Sequence, residues 1–438
     1  MGLQESSISH QPTIIPRDEH CISRKDISEY ALKVLYRLKK GGYEAYLVGG
    51  GVRDLLLGKH PKDFDVATNA SPEEIKALFR NCRLIGRRFR LAHVHFGREI
   101  IEVATFRGHH ETGEGEGVIE NGMILRDNVY GTLEEDAVRR DFTVNALYYN
   151  IADFSVVDYT GGLQDLQDHK LRLIGDPMVR FQEDPVRMLR AIRFAAKLEF
   201  QLHETIDSLI AEQGELLANI PAARLFDEVL KIFLSGHAVT AYKLLKEHDL
   251  LQYLFPLTAP LIKDDDYSDQ FITHALDNTD KRIHEDKPVT PAFLFAALLW
   301  LPVRQQAHLL QEQGMPPLQA MQVAGDEITR EYVGYVSLPK RFSFPMREIW
   351  INQLRLEMRR GKRPLRLLQQ PRFRASYDFM LLRNQAGESL QELCDWWTQF
   401  QVENEDQQRH MVNKLKGDKG PGKKRRRHRR KPKDQQAS

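Results

Sequence analysis

Apolar residues recur at Ile27, Tyr30, Ala31, Val34, Leu35 and Leu38, a spacing that predicts an amphipathic helix. Asp26 with Glu29 reads as its capping box and Gly41-Gly42 as its stop. The continuous apolar run Tyr46-Leu47-Val48 then reads as a buried strand, broken by Gly49, Gly50 and Gly51. A short helical segment carrying Arg53 and Asp54 leads to a second short strand with Asp63, Phe64 and Asp65. Ser71-Pro72-Glu73-Glu74 has an N-cap, a Pro at the first helical position and a Glu at the third, and Ile75, Leu78 and Phe79 supply that helix's apolar side. Residues 84–106 read as strands, with Ile100, Glu102, Ala104 and Phe106 on one face. The Gly- and Glu-rich residues 109–127 read as a mobile loop. Residues 134–150 read as a helix that makes Asp141 and Asn145 neighbours four apart. A Gly161-Gly162 turn follows, then a helix over 181–198 with Pro185 near its start. From Ile206 onward the helical period dominates, with Leu225, Val229, Ile232 and Phe233 on one stripe and Trp300, Trp350, Trp396 and Trp397 as expected core.

Length and composition set bounds on this pattern. At 438 residues the chain has room for two or more domains, and 42% hydrophobic with 28% charged residues fits a soluble globular protein. Cys21, Cys82 and Cys394 are far apart and offer neither a disulfide framework nor zinc spacing, which points to a reducing compartment. The apolar run from Ala292 to Leu301 is bounded by prolines and is too short to span a bilayer. The net charge of +2 conceals an asymmetry: residues 414–434 hold 12 Lys and Arg against 2 Asp, leaving 51 basic and 59 acidic residues elsewhere. A basic tail on a mildly acidic body predicts a polyanionic partner.

Candidate chemistry gathers in three stretches. Glycines without a Cβ let backbone N–H groups approach a polyphosphate, and the helix start after them adds a positive dipole. Two residues apart on a strand, Asp63 and Asp65 would face the same way and repel unless a cation lies between them; hard oxygen donors favour Mg²⁺. Glu102, on a face otherwise apolar, needs a partner: it is either a further metal carboxylate or a salt bridge to Arg87, Arg88 or Arg90. In the second stretch Arg139 and Arg140 can neutralise phosphate charge, while Asp141 and Asn145 can hold a ribose hydroxyl or a metal-bound water. In the third, Asp184 and Arg187 lie three apart, an acceptor beside a fork of donors. That pair can read adenine or cytosine, or can be a structural ion pair. Lys340, Arg341 and the basic run from Arg355 to Arg374 can line an RNA path or be a solvated helix face. From about residue 403 order is expected to end, and Arg425, Arg426, Arg427, Arg429 and Arg430 should hold phosphate backbone without reading sequence.

The residues VGGGVRDLLLG and KDFD, followed in order by RRDFTVNA, DYTGG and EDPVR, resemble the signature of the polymerase-β-type nucleotidyltransferases. Within that superfamily they are similar to the group holding bacterial poly(A) polymerases and CCA-adding enzymes. The resemblance covers roughly residues 26–236. It implies an α+β fold: a flexible arm (1–25), a polymerase-β-like nucleotidyltransferase head (26–160), a helical neck with the base-reading helix (161–255), a helical RNA-binding body (256–402) and a disordered basic tail (403–438). It further implies two Mg²⁺ ions, or Mn²⁺, held by Asp63 and Asp65, with Asp141 as the third catalytic carboxylate in preference to Glu102. Gly49, Gly50, Gly51, Arg53, Arg139, Arg140, Asn145, Asp184 and Arg187 would bind the nucleotide, and Arg224 and Glu228 would buttress the nucleotide-binding helix without touching substrate. LIGRRFRLAHV, residues 84–94, and the basic tail favour the polyadenylating branch, with ATP as substrate and RNA 3′ ends (mRNA, small RNAs and decay intermediates) as acceptors. A monomer in the bacterial cytoplasm, in the company of RNA-decay proteins, is the corresponding expectation. Addition of CCA to tRNA, and RNA binding on a degenerate transferase scaffold, are the alternatives.

Overall fold

The computed structural model describes residues 11–86, 90–108, 114–120, 123–263 and 265–417. Strands occupy the first 160 residues apart from two short pieces, and helices fill the rest. β1 (Thr13–Ile15) leads, followed by α1 (Glu29–Lys40), β2 (Ala45–Val48), α2 (Gly50–Leu56), β3 (Asp65–Thr68) and α3 (Pro72–Leu78). β4 (Cys82–Ile85), β5 (Leu91–Phe96), β6 (Glu99–Thr105), β7 (Glu114–Glu120) and β8 (Met123–Tyr130) come next, then α4 (Leu133–Arg139), β9 (Leu147–Asn150) and β10 (Val156–Asp158). Eight of these form one mixed sheet in the order β1-β10-β9-β2-β3-β6-β5-β4. All neighbours are antiparallel except β3 and β6, which run parallel. α1 and α3 pack on the sheet, burying Ala31, Val34, Leu35, Leu38 and Ile75. Tyr46, Val48, Ala67, Tyr148 and Val157 cluster with Phe106 and with Ala137 of α4.

Several boundaries differ from the expectation. The first helix is capped by Ser28, whose hydroxyl accepts from Tyr30 N–H, so Asp26 lies in a preceding turn. Ser71 does form the expected capping box with Glu74. The described part of the expected arm is ordered: β1 pairs with β10 at the sheet edge, and Ile22 is buried. Within 109–127, β7 and the first part of β8 are strands of an antiparallel ribbon. Alternating glycines hide such a strand from a pattern search, because main-chain pairing asks nothing of the side chains. Residues 109–113, 121 and 122 lie outside the described residues. On β6 the buried side is Ile101, Val103 and Thr105, so Glu102 stands on the open face and needs no desolvation.

After the sheet come α5 (Gly162–Gln167), β11 (Lys170–Leu171), α6 (Pro177–Glu183), α7 (Val186–Leu198), β12 (Gln201–Leu202), α8 (Glu204–Glu212), α9 (Ala222–Phe233) and α10 (Ala238–Glu247). Gly162 is required here: a Cβ would sit 2.2 Å from the Thr143 carbonyl oxygen, so α5 can pack against the 142–146 turn only without one. The sheet and these helices belong to one compact unit (Met1–Pro260, Leu276–Val289 and Tyr332–Leu338).

A second unit comprises Leu261–Ala275, Thr290–Glu331 and Pro339–Ser438. Its described part is helical. Trp300, Trp350 and Trp397 are fully buried, while Trp396 is partly buried and stacks on Phe400. Trp350 and Trp397 donate their indole N–H groups to the Ala296 and Leu356 carbonyls, which satisfies the polar edge of each ring. Order continues past residue 403 in a helix, Glu405–Gly417, whose Val412 joins the Trp397 core. That core contact anchors a segment whose composition alone reads as solvated. The five arginines from Arg425 to Arg430 lie outside the described residues. No helix among the described residues is long and apolar enough to cross a membrane.

Candidate active site

A single row of Cα partners crosses the sheet and builds the site. Tyr148 of β9 lies opposite Val48 of β2, Val48 opposite Asp65 of β3, and Asp65 opposite Glu102 of β6. Glu102 in turn lies opposite His93 of β5, and His93 opposite Arg83 of β4. Cross-strand partners share a face, so the pairing register brings residues up to 100 positions apart in sequence to one line. At the end of β2 the chain turns through Gly49 at φ 73° and ψ −138°, a conformation costly to any residue with a Cβ. A Cβ there would stand 3.7 Å from Arg140 Nη1 and 4.0 Å from Asp65 Oδ2, so the glycine leaves the space between them open.

Asp65 begins β3 and is half-buried, whereas Asp63 is exposed in the approach to the strand rather than on it. Phe64, between them, is buried and holds the turn in place. Burial, then Glu102, then Asp63 push the Asp65 carboxyl up to about 6, with only Arg140 opposing. Among the described residues neither the Asp63 nor the Asp65 carboxylate has a hydrogen-bond or ion-pair partner. Glu102 approaches His93 instead of an arginine: its Oε1 lies 3.1 Å from His93 Nε2, while Arg90 pairs with Glu73. Arg87 and Arg88 lie outside the described residues. Glu102 and Asp63 thus add negative charge beside Asp65 that Arg140 only partly offsets, and hard oxygen donors of this kind suit a divalent cation. Among the described residues no group of three or more acidic, His or Cys side chains is placed to hold a metal ion. That suits Mg²⁺, which is bound by one or two carboxylates plus water and substrate phosphate.

Asp141 belongs to a different network. α4 stops at Arg139, and Asp141 precedes one turn of 3-10 helix, Thr143–Asn145. The Asp141 carboxylate accepts from Arg190 Nε at 2.8 Å, from Phe142 N–H at 2.8 Å and from Asn145 Nδ2 at 3.4 Å. Burial would raise its pKa, but Arg190 and these donors reverse the effect and hold it at about 2. Asn145 is buried, and its carbonyl accepts from Arg53 Nη1 at 2.6 Å. Arg53 is itself buried, bonded to Asp54, with its guanidinium 5.4 Å from the Phe194 ring centre. It braces the site from beneath instead of presenting its fork to solvent. Glu102 is among the groups that bear on Asp65, and Asp141 is not.

Arg140 has one edge held and the other turned to the site. Asp136 Oδ2 accepts from its Nη2 at 2.9 Å, and Tyr148 accepts from its Nε at 2.9 Å. Tyr148 donates in turn to Asp136 at 2.6 Å. Burial would weaken the Arg140 charge, but Tyr148 and Asp136 outweigh it and keep the guanidinium cationic. Nη1 is the atom that faces Gly49. Arg139 donates to the Gly108 carbonyl.

Arg187 N–H donates to the Asp184 carbonyl at 3.0 Å, but their side chains take separate partners. α6 ends at Glu183, and Asp184 is extended at φ −152° and ψ 90°, outside both α6 and α7. Asp184 accepts from Arg224 at 2.7 Å, while Arg187 donates to Glu183 at 2.9 Å and to the Arg180 carbonyl at 2.6 Å. Each is anchored from behind by a separate partner. Arg180, which pattern reading passed over, donates to the carbonyls of both Arg139 and Arg140 at 2.6 Å and ties α6 to the end of α4. His93, Asp136 and Tyr148 were also missed. Their only local mark is polarity on strands and a helix that bury apolar neighbours.

Comparison with known proteins places this geometry. Residues 45–172 match the model described as "Poly A polymerase head domain", 199–262 match "Probable RNA and SrmB- binding site of polymerase A", and 313–432 match "Polymerase A arginine-rich C-terminus". The chain is 52% identical to "Poly(A) polymerase I" of Salmonella typhimurium over 422 residues, 94% of this chain and 91% of that one. It is 39% identical to the "CCA-adding enzyme" of Lactobacillus helveticus over 225 residues, 51% of this chain and 55% of that one. Among solved structures, an apo CCA-adding enzyme aligns with a TM-score of 0.62 at 21% identity, covering 92% of this chain and 89% of its own, a likeness of fold. With identity this high over nearly its whole length, the chain belongs to the bacterial poly(A) polymerase I family of nucleotidyltransferases.

Proposed function

We propose that this protein extends RNA 3′ ends without a template, transferring AMP from ATP. The 3′-hydroxyl oxygen bonds to the α-phosphorus, the bond from that phosphorus to the bridging oxygen breaks, and pyrophosphate leaves. The observation that carries this reading is its extent: sequence similarity to a poly(A) polymerase I runs through 94% of the chain, whereas sequence similarity to the CCA-adding enzyme of Lactobacillus helveticus covers 51%.

Asp63, Asp65 and Glu102 are the residues that would hold Mg²⁺. When bound, the ion would supply Lewis-acid activation of the 3′-hydroxyl and neutralise charge on the leaving pyrophosphate. Gly49, Gly50 and Gly51 keep the loop beside Asp65 low enough for phosphate to approach, and Nη1 of Arg140 donates to it. Arg53, Asn145, Asp141 and Arg190 form a relay of hydrogen bonds that fixes the turn after α4 against α7. In this role Asp141 and Asn145 orient the nucleotide instead of adding a third metal carboxylate. Asp184 accepts from the adenine amino group, and Arg187 donates to the ring nitrogen beside it. Because Arg224 and Glu183 preset their rotamers, a base of the wrong shape meets groups that cannot follow it. Arg425, Arg426, Arg427, Arg429 and Arg430 hold the RNA backbone, as an arginine-rich C-terminus would.

Purified protein is offered a generic RNA with Mg²⁺ and each of the four nucleoside triphosphates separately. Long extension with ATP alone is the expected result. Addition of a few nucleotides that requires CTP and a tRNA end would transfer the assignment to CCA addition. Salt-sensitive RNA binding without incorporation would leave an RNA-binding protein.

A further inference from the structure

We propose that His93 is a positioning residue for Glu102: its Nε2–H donates to the Glu102 carboxylate and holds it turned toward Asp65. The inference rests on the reading of Asp63, Asp65 and Glu102 as a cation site. It begins with register, since Asp65, Glu102 and His93 are successive Cα partners on β3, β6 and β5. The strands therefore place the histidine beside the glutamate on the flank opposite Asp65. His93 Nε2 is buried, lies 3.1 Å from Glu102 Oε1 and has no aligned hydrogen-bond partner. A buried ring N–H this near a carboxylate, yet off its line, straightens into a hydrogen bond with a small rotation of the Glu102 side chain.

The two residues differ in freedom as a positioning pair should. The Glu102 side chain is 48% exposed and His93 only 17%, so the donor is fixed and the acceptor mobile. The His93 ring meets that of His95, on the same face of β5, edge-on with centroids 6.3 Å apart. A glutamate on an open sheet face samples many rotamers, and most of them point away from Asp65. A donor on its far flank restricts that set and leaves one carboxylate oxygen for a cation. Ligating carboxylates are themselves hydrogen-bonded as a rule, and losing such a partner lowers metal affinity about 10–100-fold.

The test uses full-length, metal-free protein titrated with Mn²⁺, free Mn²⁺ being read by electron paramagnetic resonance. Mg²⁺ half-saturation of AMP transfer is measured in parallel. His93→Ala is expected to weaken Mn²⁺ binding about tenfold or more and to raise the Mg²⁺ requirement in proportion, with kcat at saturating Mg²⁺ nearly retained. His93→Gln, which keeps an N–H donor, should restore most of the affinity. In a Glu102→Gln background, His93→Ala should have no further effect. His93→Phe keeps a ring against His95 without the donor, and carries the same test if the alanine variant fails to fold. Unchanged Mn²⁺ affinity in His93→Phe or His93→Ala, with Asp65→Asn clearly weakened, would overturn the role of His93 alone. Unchanged affinity in Asp65→Asn as well would overturn the cation site and the inference with it.

Discussion

Replacing Asp65 by Asn should make the metal-free protein more stable at neutral pH while abolishing transfer. The carboxyl lies on the sheet beside Glu102, with Asp63 nearby and only Arg140 in opposition, and its pKa is about 6 in the fold. In the unfolded chain it returns to the ordinary range of about 4. The folded state therefore holds the proton more tightly. Stability linked to this group is fully present below pH 4 and is lost as pH rises through about 6. The difference corresponds to about 3 kcal/mol above pH 7, an upper bound because solvent reaches a half-buried group. Asparagine has nearly the same shape and no charge, so it escapes the penalty. If half of that figure is realised, the unit that holds the sheet should melt about 3–6 °C higher in the variant at pH 8. About half of the advantage should be gone at pH 5. Thermal melts of EDTA-treated wild type and Asp65→Asn across this range test the sign and the slope. Added Mg²⁺ should then raise the wild-type midpoint and leave the variant's unchanged. A variant less stable than wild type at pH 8, or an advantage that does not change with pH, would refute the account of strained, cation-seeking charge.

Three further outcomes follow from named contacts. Arg190→Met leaves the Asp141 carboxylate buried without its cation, and should cost about 3–5 kcal/mol in urea unfolding; in an Asp141→Asn background most of that cost should vanish. Gly49→Ala forces a Cβ into a conformation suited to glycine and into the space between Arg140 and Asp65, for a loss of about 1–3 kcal/mol in stability and a fall in kcat/KM for ATP. Changing Arg425, Arg426, Arg427, Arg429 and Arg430 together to Ala should leave transfer to a short oligonucleotide intact. The slope of log binding constant against log salt for single-stranded RNA should fall by about 3–4, because each lost phosphate contact removes about 0.7.

Much of the site could be read directly from the chain because its parts are local. Gly49 to Gly51 after a buried run, Asp63 and Asp65 after the next turn, and the Ser71 capping box each depend on neighbours a few residues away. The order of such pieces pointed to the superfamily, and with it the α+β architecture. What could not be read was anything set by pairing across distance. That Glu102 and not Asp141 stands beside Asp65 depends on β3 and β6 running parallel in one register. A shift of one residue would have turned Glu102 into the core. The separate anchoring of Asp184 and Arg187 depends on a helix ending at Glu183 and on Arg224, 40 residues away, reaching back. The buried bond of Arg53 to Asn145, 92 residues away, likewise joins elements remote in sequence. Local sequence thus determined which chemistry the chain carries, since turn, cap and strand preferences are short-range. Tertiary structure decided which charges meet, because a carboxylate's partner is chosen by sheet register and helix packing, and these are properties of the whole fold.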